Sequence, residues 1–259
     1  MNATAQSPTG RAVRRCLAFT LTIAVMGLTP RMAGAQMTGM PGMPEMDPKA
    51  HGMSWGRAFF VLLDQLEYVP GREGSPIDLD AVGWYGGAYN RVWVRAQGEQ
   101  STRSRKGSGE VELLYGKLVD PFWDAVIGLR ADRSWGPDVD AAQRVQLAVG
   151  FMGLAPYRFE LEPTLFVSQR GDVSARLEAA FPVLITQRLV AEPEFEVNAA
   201  LQSVPRYGVE RGLNDYEMGV RVRYEFRREL APYVGWSRAR EGGSGGADDR
   251  LVFGFRLWR

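Results

Sequence analysis

The sequence predicts an all-β protein, a transmembrane antiparallel up-and-down β-barrel of about twelve strands of the outer-membrane type. Three observations carry this. The N-terminus has the layout of an export signal, long segments alternate apolar and charged residues with period two, and the joins between those segments are alternately short and long. Composition narrows the rest. At 45% hydrophobic and 24% charged, the 259 residues are too polar for a helical membrane protein and too apolar for a disordered chain. The 31 Lys+Arg nearly balance the 30 Asp+Glu, so no basic footprint for nucleic acid exists. One cysteine cannot close an intramolecular disulfide, and one histidine leaves no inventory for a multi-His metal site or a histidine-based enzyme. No enzymatic activity is expected.

Residues 1–35 read as a signal peptide. Arg11, Arg14 and Arg15 precede an apolar run from Cys16 to Leu28, and Ala33-Gly34-Ala35 supplies the small-residue cleavage site. That run is too short for a membrane-crossing helix, which needs roughly 20 residues. Cleavage after Ala35 removes Cys16, so the exported chain has no thiol.

Residues 36–55 read as a flexible, methionine-rich tail. Met37, Met40, Met43 and Met46 recur every third residue, Met53 follows, and Pro41, Pro44, Pro48 and the intervening glycines forbid a helix. A methionine stripe ordinarily fills a core, yet this segment has no apolar face to fold on. Thioethers are soft and never protonated, so they suit Cu(I) or Ag(I) in an oxidising compartment. His51 adds one nitrogen donor beside Met53. The candidate metal ligands are therefore Met37, Met40, Met43, Met46, His51 and Met53; the alternative is a linker whose composition is accidental.

Residues 56–259 read as the barrel. Twelve alternating segments run at about 57–69, 77–86, 89–100, 107–119, 121–134, 141–153, 156–169, 172–184, 187–201, 213–229, 230–240 and 249–259. The clearest comb sets Tyr216, Met218, Val220, Val222, Tyr224 and Phe226 against Asp215, Glu217, Gly219, Arg221, Arg223 and Glu225. Joins at Gly86-Gly87, Asp120-Pro121, Ala155-Pro156, Thr186 and Glu229-Leu230 are minimal, whereas the others are longer and polar. That asymmetry puts both chain ends on the periplasmic side. Tyr115, Trp123, Tyr157, Phe159, Tyr224, Phe226, Tyr233 and Trp258 fall near the short turns, where an aromatic girdle belongs. Within 57–69, Asp64 meets apolar neighbours on either face, so the register of that strand stays open. A soluble periplasmic β-sandwich also alternates and is the competing fold.

With the apolar combs toward lipid, Arg221, Arg223, Arg227, Glu217, Glu225, Glu192, Glu194, Glu196, Glu160, Glu162, Arg130 and Asp132 point inward. They make either a paired Arg/Glu network or a wet path for ions.

Ordered short stretches carry a resemblance. They include Leu63-Asp64-Gln65-Leu66-Glu67-Tyr68, Trp84-Tyr85-Gly86-Gly87, Asn90-Arg91-Val92-Trp93, Pro121-Phe122-Trp123-Asp124, Gly153-Leu154-Ala155-Pro156-Tyr157, Thr186-Gln187-Arg188-Leu189, Gly212-Leu213-Asn214-Asp215 and Arg227-Arg228-Glu229-Leu230-Ala231-Pro232-Tyr233. In these the chain resembles the copper resistance protein B family over about 62–258. The resemblance implies copper binding and tolerance at the outer membrane, a Met-rich N-terminal ligand source in the periplasm, and a periplasmic multicopper oxidase as partner. Three departures stand out: Ala88 where the family usually has an acid, a short tail, and Arg259 after the final aromatic. The competing functional reading is a passive channel or structural barrel without a metal role.

Overall fold

The computed structural model describes residues 57–70, 74–136, 143–240 and 246–259. The segments read from the sequence as signal peptide (1–35) and tail (36–55) lie outside them. Thirteen antiparallel strands form one sheet: β1 (Ala58–Tyr68), β2 (Pro76–Gly86), β3 (Asn90–Ser101), β4 (Gly107–Asp120), β5 (Trp123–Trp135), β6 (Gln143–Ala155), β7 (Phe159–Ser168), β8 (Val173–Ala180), β9 (Val183–Leu184), β10 (Leu189–Ala200), β11 (Gly212–Tyr224), β12 (Leu230–Arg240) and β13 (Ala247–Trp258). Sequential neighbours pair, and β1 pairs with β13, so the sheet closes on itself. β8 and β9 share one register on β10, with Ala180 opposite Glu194 and Val183 opposite Ala191. Pro182 falls in the gap and Pro193 faces it from β10, two residues without an N–H to give. The pair is one interrupted strand, and the barrel has the twelve positions the sequence predicts.

The barrel is inside-out relative to a soluble protein. Along β6, Val145, Leu147, Val149 and Phe151 are exposed while Arg144, Gln146, Ala148 and Met152 are buried. Ile127 and Leu165 flank Val149 on the neighbouring strands and are equally exposed. A soluble sandwich would bury such a continuous apolar belt; only hydrocarbon solvates it without cost. Val149→Arg is expected to destabilise the folded barrel by about 2–4 kcal/mol, the depth-dependent cost of a cation on the lipid face. The urea midpoint of folding into vesicles reads this, and an unchanged midpoint contradicts a lipid-facing belt.

The open register of β1 is settled by a bulge. Both ladders of β1 slip just after Leu63, so Leu63 faces Leu257 whereas Leu66 faces Phe255. Asp64 and Gln65 consequently both turn inward: Asp64 binds Arg256 (2.9 Å) and Gln65 Nε2 donates to Glu194 Oε2 (2.9 Å). Before the bulge the exposed residues are Phe59 and Val61; after it they are Leu66 and Tyr68. Two residues opposing one is what a bulge supplies. Deleting Asp64 is therefore expected to leave a regular, correctly faced strand, because Arg256 keeps Glu192 at 3.0 Å. Deleting Leu62 instead reverses Phe59 and Val61 and should abolish folding. Heat-modifiable gel mobility separates the two variants; equal loss in both contradicts the bulge assignment.

The short joins lie at one end, together with both ends of the barrel chain, where Val61 and Arg259 exchange backbone hydrogen bonds of 3.0 and 2.9 Å. Thr186 Oγ1 accepts from the N–H groups of Arg188 (3.3 Å) and Leu189 (2.9 Å), which closes that turn. The turn after Gly86 is held by Arg91, whose guanidinium donates to the carbonyls of Gly87 (3.4 Å) and Ala88 (3.3 Å). One join departs from expectation. β11 ends at Tyr224, and the connection to β12 occupies residues 225–229. There the Glu225 N–H still donates to Arg188 O (2.8 Å), in register with the Tyr224–Leu189 pair, and the apolar alternation continues through Phe226. At the other end, the β7–β8 loop occupies only residues 169–172, tightened at Gly171 (φ 85).

Tyr85, Tyr89 and Phe122 join the predicted Tyr115, Tyr157, Phe159, Tyr224, Phe226 and Trp258 as exposed aromatics around the short-turn end, while the predicted Trp123 is half-buried. Tyr233 is a correction to the predicted girdle. It is buried inside, against Gly254, where a Cβ would stand 2.5 Å from its hydroxyl. The same end of the lumen holds apolar side chains: Leu114, Val126, Ala148, Met152 and Phe166 cluster, with Trp93 packed on them. Trp93 meets Trp84 (6.2 Å between centroids), and Trp84 meets Phe60 (6.4 Å).

Candidate functional site

The wall of the lumen alternates, so every second residue of each strand contributes to one shared interior, and closure brings together residues far apart in sequence. Arg221 on β11 reaches across to β1. Its Nε donates to Glu67 Oε1 (2.5 Å) and its Nη2 to Glu67 Oε2 (3.2 Å) and Gln65 Oε1 (3.3 Å), while Nη1 binds Glu194. Arg221 is 7% exposed and Glu67 2%. Such a fork-to-carboxylate geometry satisfies both ions where water cannot.

A second knot forms farther along. Arg176 binds Glu110 bidentately (2.5 and 3.1 Å), Glu196 (3.3 Å), Asn198 Oδ1 (3.0 Å) and Gln97 Oε1 (3.0 Å). Arg130 binds Glu110 and Asp132 (2.6 Å), and both guanidiniums lie over the Phe166 ring, at 4.5 Å for Arg130 and 5.7 Å for Arg176. Arg95 joins Glu162 (2.9 Å), Glu178 and, at 3.9 Å, Glu112. Nearer the short turns, Arg256 bridges Asp64 and Glu192, Arg223 also binds Glu192, and Arg91 binds Asp124 (2.9 Å) while lying 5.2 Å above Trp84.

Two cavities remain between these knots. One of about 330 Å³ is lined by eleven carboxylates and three guanidiniums, Arg95, Arg221 and Arg256. The other, about 850 Å³, opens toward the long-loop end beneath the 3-10 turn Pro205–Tyr207. The acid excess of the first makes it a better host for cations than for anions.

Most residues predicted to point inward do so. Arg227 is the correction: it sits exposed in the β11–β12 join, its bridge being backbone to Leu230. Asp64, Glu67, Arg95, Glu110, Glu112, Arg176, Glu178 and Arg256 also belong to the network, though the sequence reading did not single them out. Their signal was present in the same combs, as in Val92-Trp93-Val94-Arg95. The candidate metal ligands Met37, Met40, Met43, Met46, His51 and Met53 lie outside the described residues. Among the described residues, no group of three or more His, Cys, Asp or Glu has metal-holding geometry.

Comparison with known proteins follows the barrel. A family model described as copper resistance protein B precursor matches residues 57–258. Copper resistance protein B of Escherichia coli is 39% identical over 242 residues, covering 85% of this chain and 79% of that one. A copper resistance protein B homolog of Pseudomonas syringae pv. tomato is 36% identical over 209 residues, covering 77% and 69%. Among solved structures, the NanC porin superposes with a TM-score of 0.51 at 14% identity, covering 77% of this chain and 99% of that one, a likeness of fold alone. Sequence, barrel and family match agree that this chain belongs to the copper resistance protein B family.

Proposed function

We propose that the protein contributes to copper resistance from the outer membrane, and that it binds Cu(I) through Met37, Met40, Met43, Met46 and Met53, with His51, in a periplasmic N-terminal tail. The observation that carries this is the family membership of a barrel preceded by four methionines at three-residue intervals in a Gly/Pro-rich stretch. Short turns of outer-membrane barrels face the periplasm, and β1 begins at that end, which supports a periplasmic tail. Bound ions are sequestered or passed onward, with a periplasmic multicopper oxidase as the partner that the family resemblance implies. The role is binding and not catalysis, since the chain's single histidine belongs to the tail.

The acid excess of the 330 Å³ cavity favours one second reading, in which cations move through the lumen itself. Carboxylates suit harder ions than Cu(I), so this version fits Cu(II) better. Deleting residues 36–53 tests the proposal in copper-stressed cells. Copper tolerance should fall to that of cells without the protein while the barrel keeps its heat-modifiable mobility. Full tolerance without the tail overturns the tail reading.

A further inference from the structure

The 850 Å³ cavity contains a cation that no described residue neutralises. Arg144 on β6 is 6% exposed and lines this cavity, yet among the described residues it makes neither an ion pair nor a hydrogen bond, and its Nε is buried without an acceptor. Its cross-strand partner is Asp132, the residue expected to neutralise it. Both oxygens of Asp132 are committed elsewhere, Oδ1 to Arg130 Nε (2.6 Å) and Oδ2 to Gln146 Nε2 (2.7 Å). The other acids of the cavity are occupied as well. Glu110 and Glu196 hold Arg176, Asp215 accepts from Asn198 Nδ2 (2.6 Å), and Glu99 has a partner of its own.

The loop above is shaped around the Arg144 cation, which is unpaired among the described residues. In the turn Pro205–Tyr207, the Tyr207 hydroxyl donates to Gln143 O (3.1 Å) and so pins the ring over Arg144, 5.3 Å from ring centroid to guanidinium carbon. Arg206 of the same turn lies 5.9 Å from that ring, is exposed, and has no carboxylate partner among the described residues. A guanidinium stacked on an aromatic ring keeps its edge donors free, and that edge matches the oxygens of a phosphate or carboxylate. A buried cation without a counterion costs several kcal/mol in general, a cost that an anionic ligand removes.

We infer that the vestibule at the long-loop end is a binding site for a small, soluble, multiply charged oxyanion, gripped between Arg144 and Arg206 with Tyr207 as the platform. The site is independent of the methionine tail, and its cavity, lined by five guanidiniums and five carboxylates, lacks the acid excess of the other. The volume accommodates a ligand considerably larger than phosphate.

Isothermal titration of inorganic pyrophosphate into the full exported chain, refolded in detergent in metal-free buffer, tests this. Saturable binding is expected, weakened by roughly tenfold or more in Arg144→Gln and again in Arg206→Gln, the loss expected for a charge-assisted hydrogen bond. Raising salt should weaken it further. Arg206 is exposed, so its variant remains informative if Arg144→Gln fails to fold. Absence of saturable binding at millimolar pyrophosphate, or unchanged affinity in every variant that folds, overturns the inference. Pyrophosphate binding is read without copper, so failure here leaves the tail reading intact, and loss of copper binding by the tail leaves this one intact.

Discussion

Arg221→Ala is expected to destabilise the folded barrel by about 3–5 kcal/mol, the cost of stripping the cation from a buried ion pair. The reason lies in what stays behind. Glu67 is 2% exposed and receives two hydrogen bonds from Arg221, and Glu194 and Gln65 converge on the same guanidinium. Alanine leaves a buried carboxylate without its counterion and opens a gap across the lumen between β11 and β1. The contrast is Arg238, whose contact with Asp249 spans 3.7 Å with side chains 46% and 57% exposed. Arg238→Ala should cost less than about 1 kcal/mol, as exposed pairs do. Urea midpoints of the heat-modifiable form read both. The triple change Arg221→Leu, Glu67→Leu and Glu194→Leu should recover much of the loss, since well-packed apolar groups can replace a buried ion cluster at little cost. Equal, small losses for Arg221→Ala and Arg238→Ala would mean that water screens the lumen network, and the description of it as a desolvated knot would be wrong.

The sequence made the wall of this barrel legible because period-two patterning is a local property. The comb from Tyr216 to Tyr224 places its charged residues inward and its apolar residues outward in the structure. Three details were hidden for physical reasons. The bulge at Asp64 and Gln65 breaks the local period, so a regular template leaves either Asp64 or Glu67 on the wrong face. The interruption between β8 and β9 depends on Pro193 of another strand as well as Pro182. The end of β11 at Tyr224 was also hidden, because the apolar alternation continues through Phe226 and the Glu225 N–H still bonds Arg188 O in the β10 register. Partners in the lumen were less legible still. Glu67 and Arg221 are 154 residues apart, and only closure of the sheet makes them neighbours. The apolar cluster around Leu114, Val126 and Phe166 went unnoticed because inward apolar residues in a membrane barrel look like a lapse in the comb. The Arg144 vestibule was equally hidden, because an arginine opposite an aspartate in the ladder suggests a pair until the bonds of Asp132 are seen.

The second large effect concerns the tail. Changing Met37, Met40, Met43, Met46 and Met53 to alanine together is expected to abolish Cu(I) binding by the exported chain. Three thioethers spaced by two residues can wrap one soft cation, and the intervening Gly and Pro residues already favour bends, which lowers the entropic cost of closing the loop. Alanine removes every sulfur donor of the segment while adding no charge. Because the family match covers residues 57–258, these substitutions leave the matched barrel sequence untouched. Folding of the variant should therefore be indistinguishable from that of the parent by heat-modifiable mobility, and any loss of binding is then a loss of ligands. Restoring Met37, Met40 and Met43 alone should return a single site.

The decisive measurement is a Cu(I) competition titration under reducing conditions against a chromophoric chelator, run on the refolded exported chain and on the five-methionine variant. One or more ions bound by the parent and none by the variant is the predicted result, making the tail the copper site and the barrel its platform. Equal binding by both would contradict this account and move the copper into the carboxylate-lined lumen.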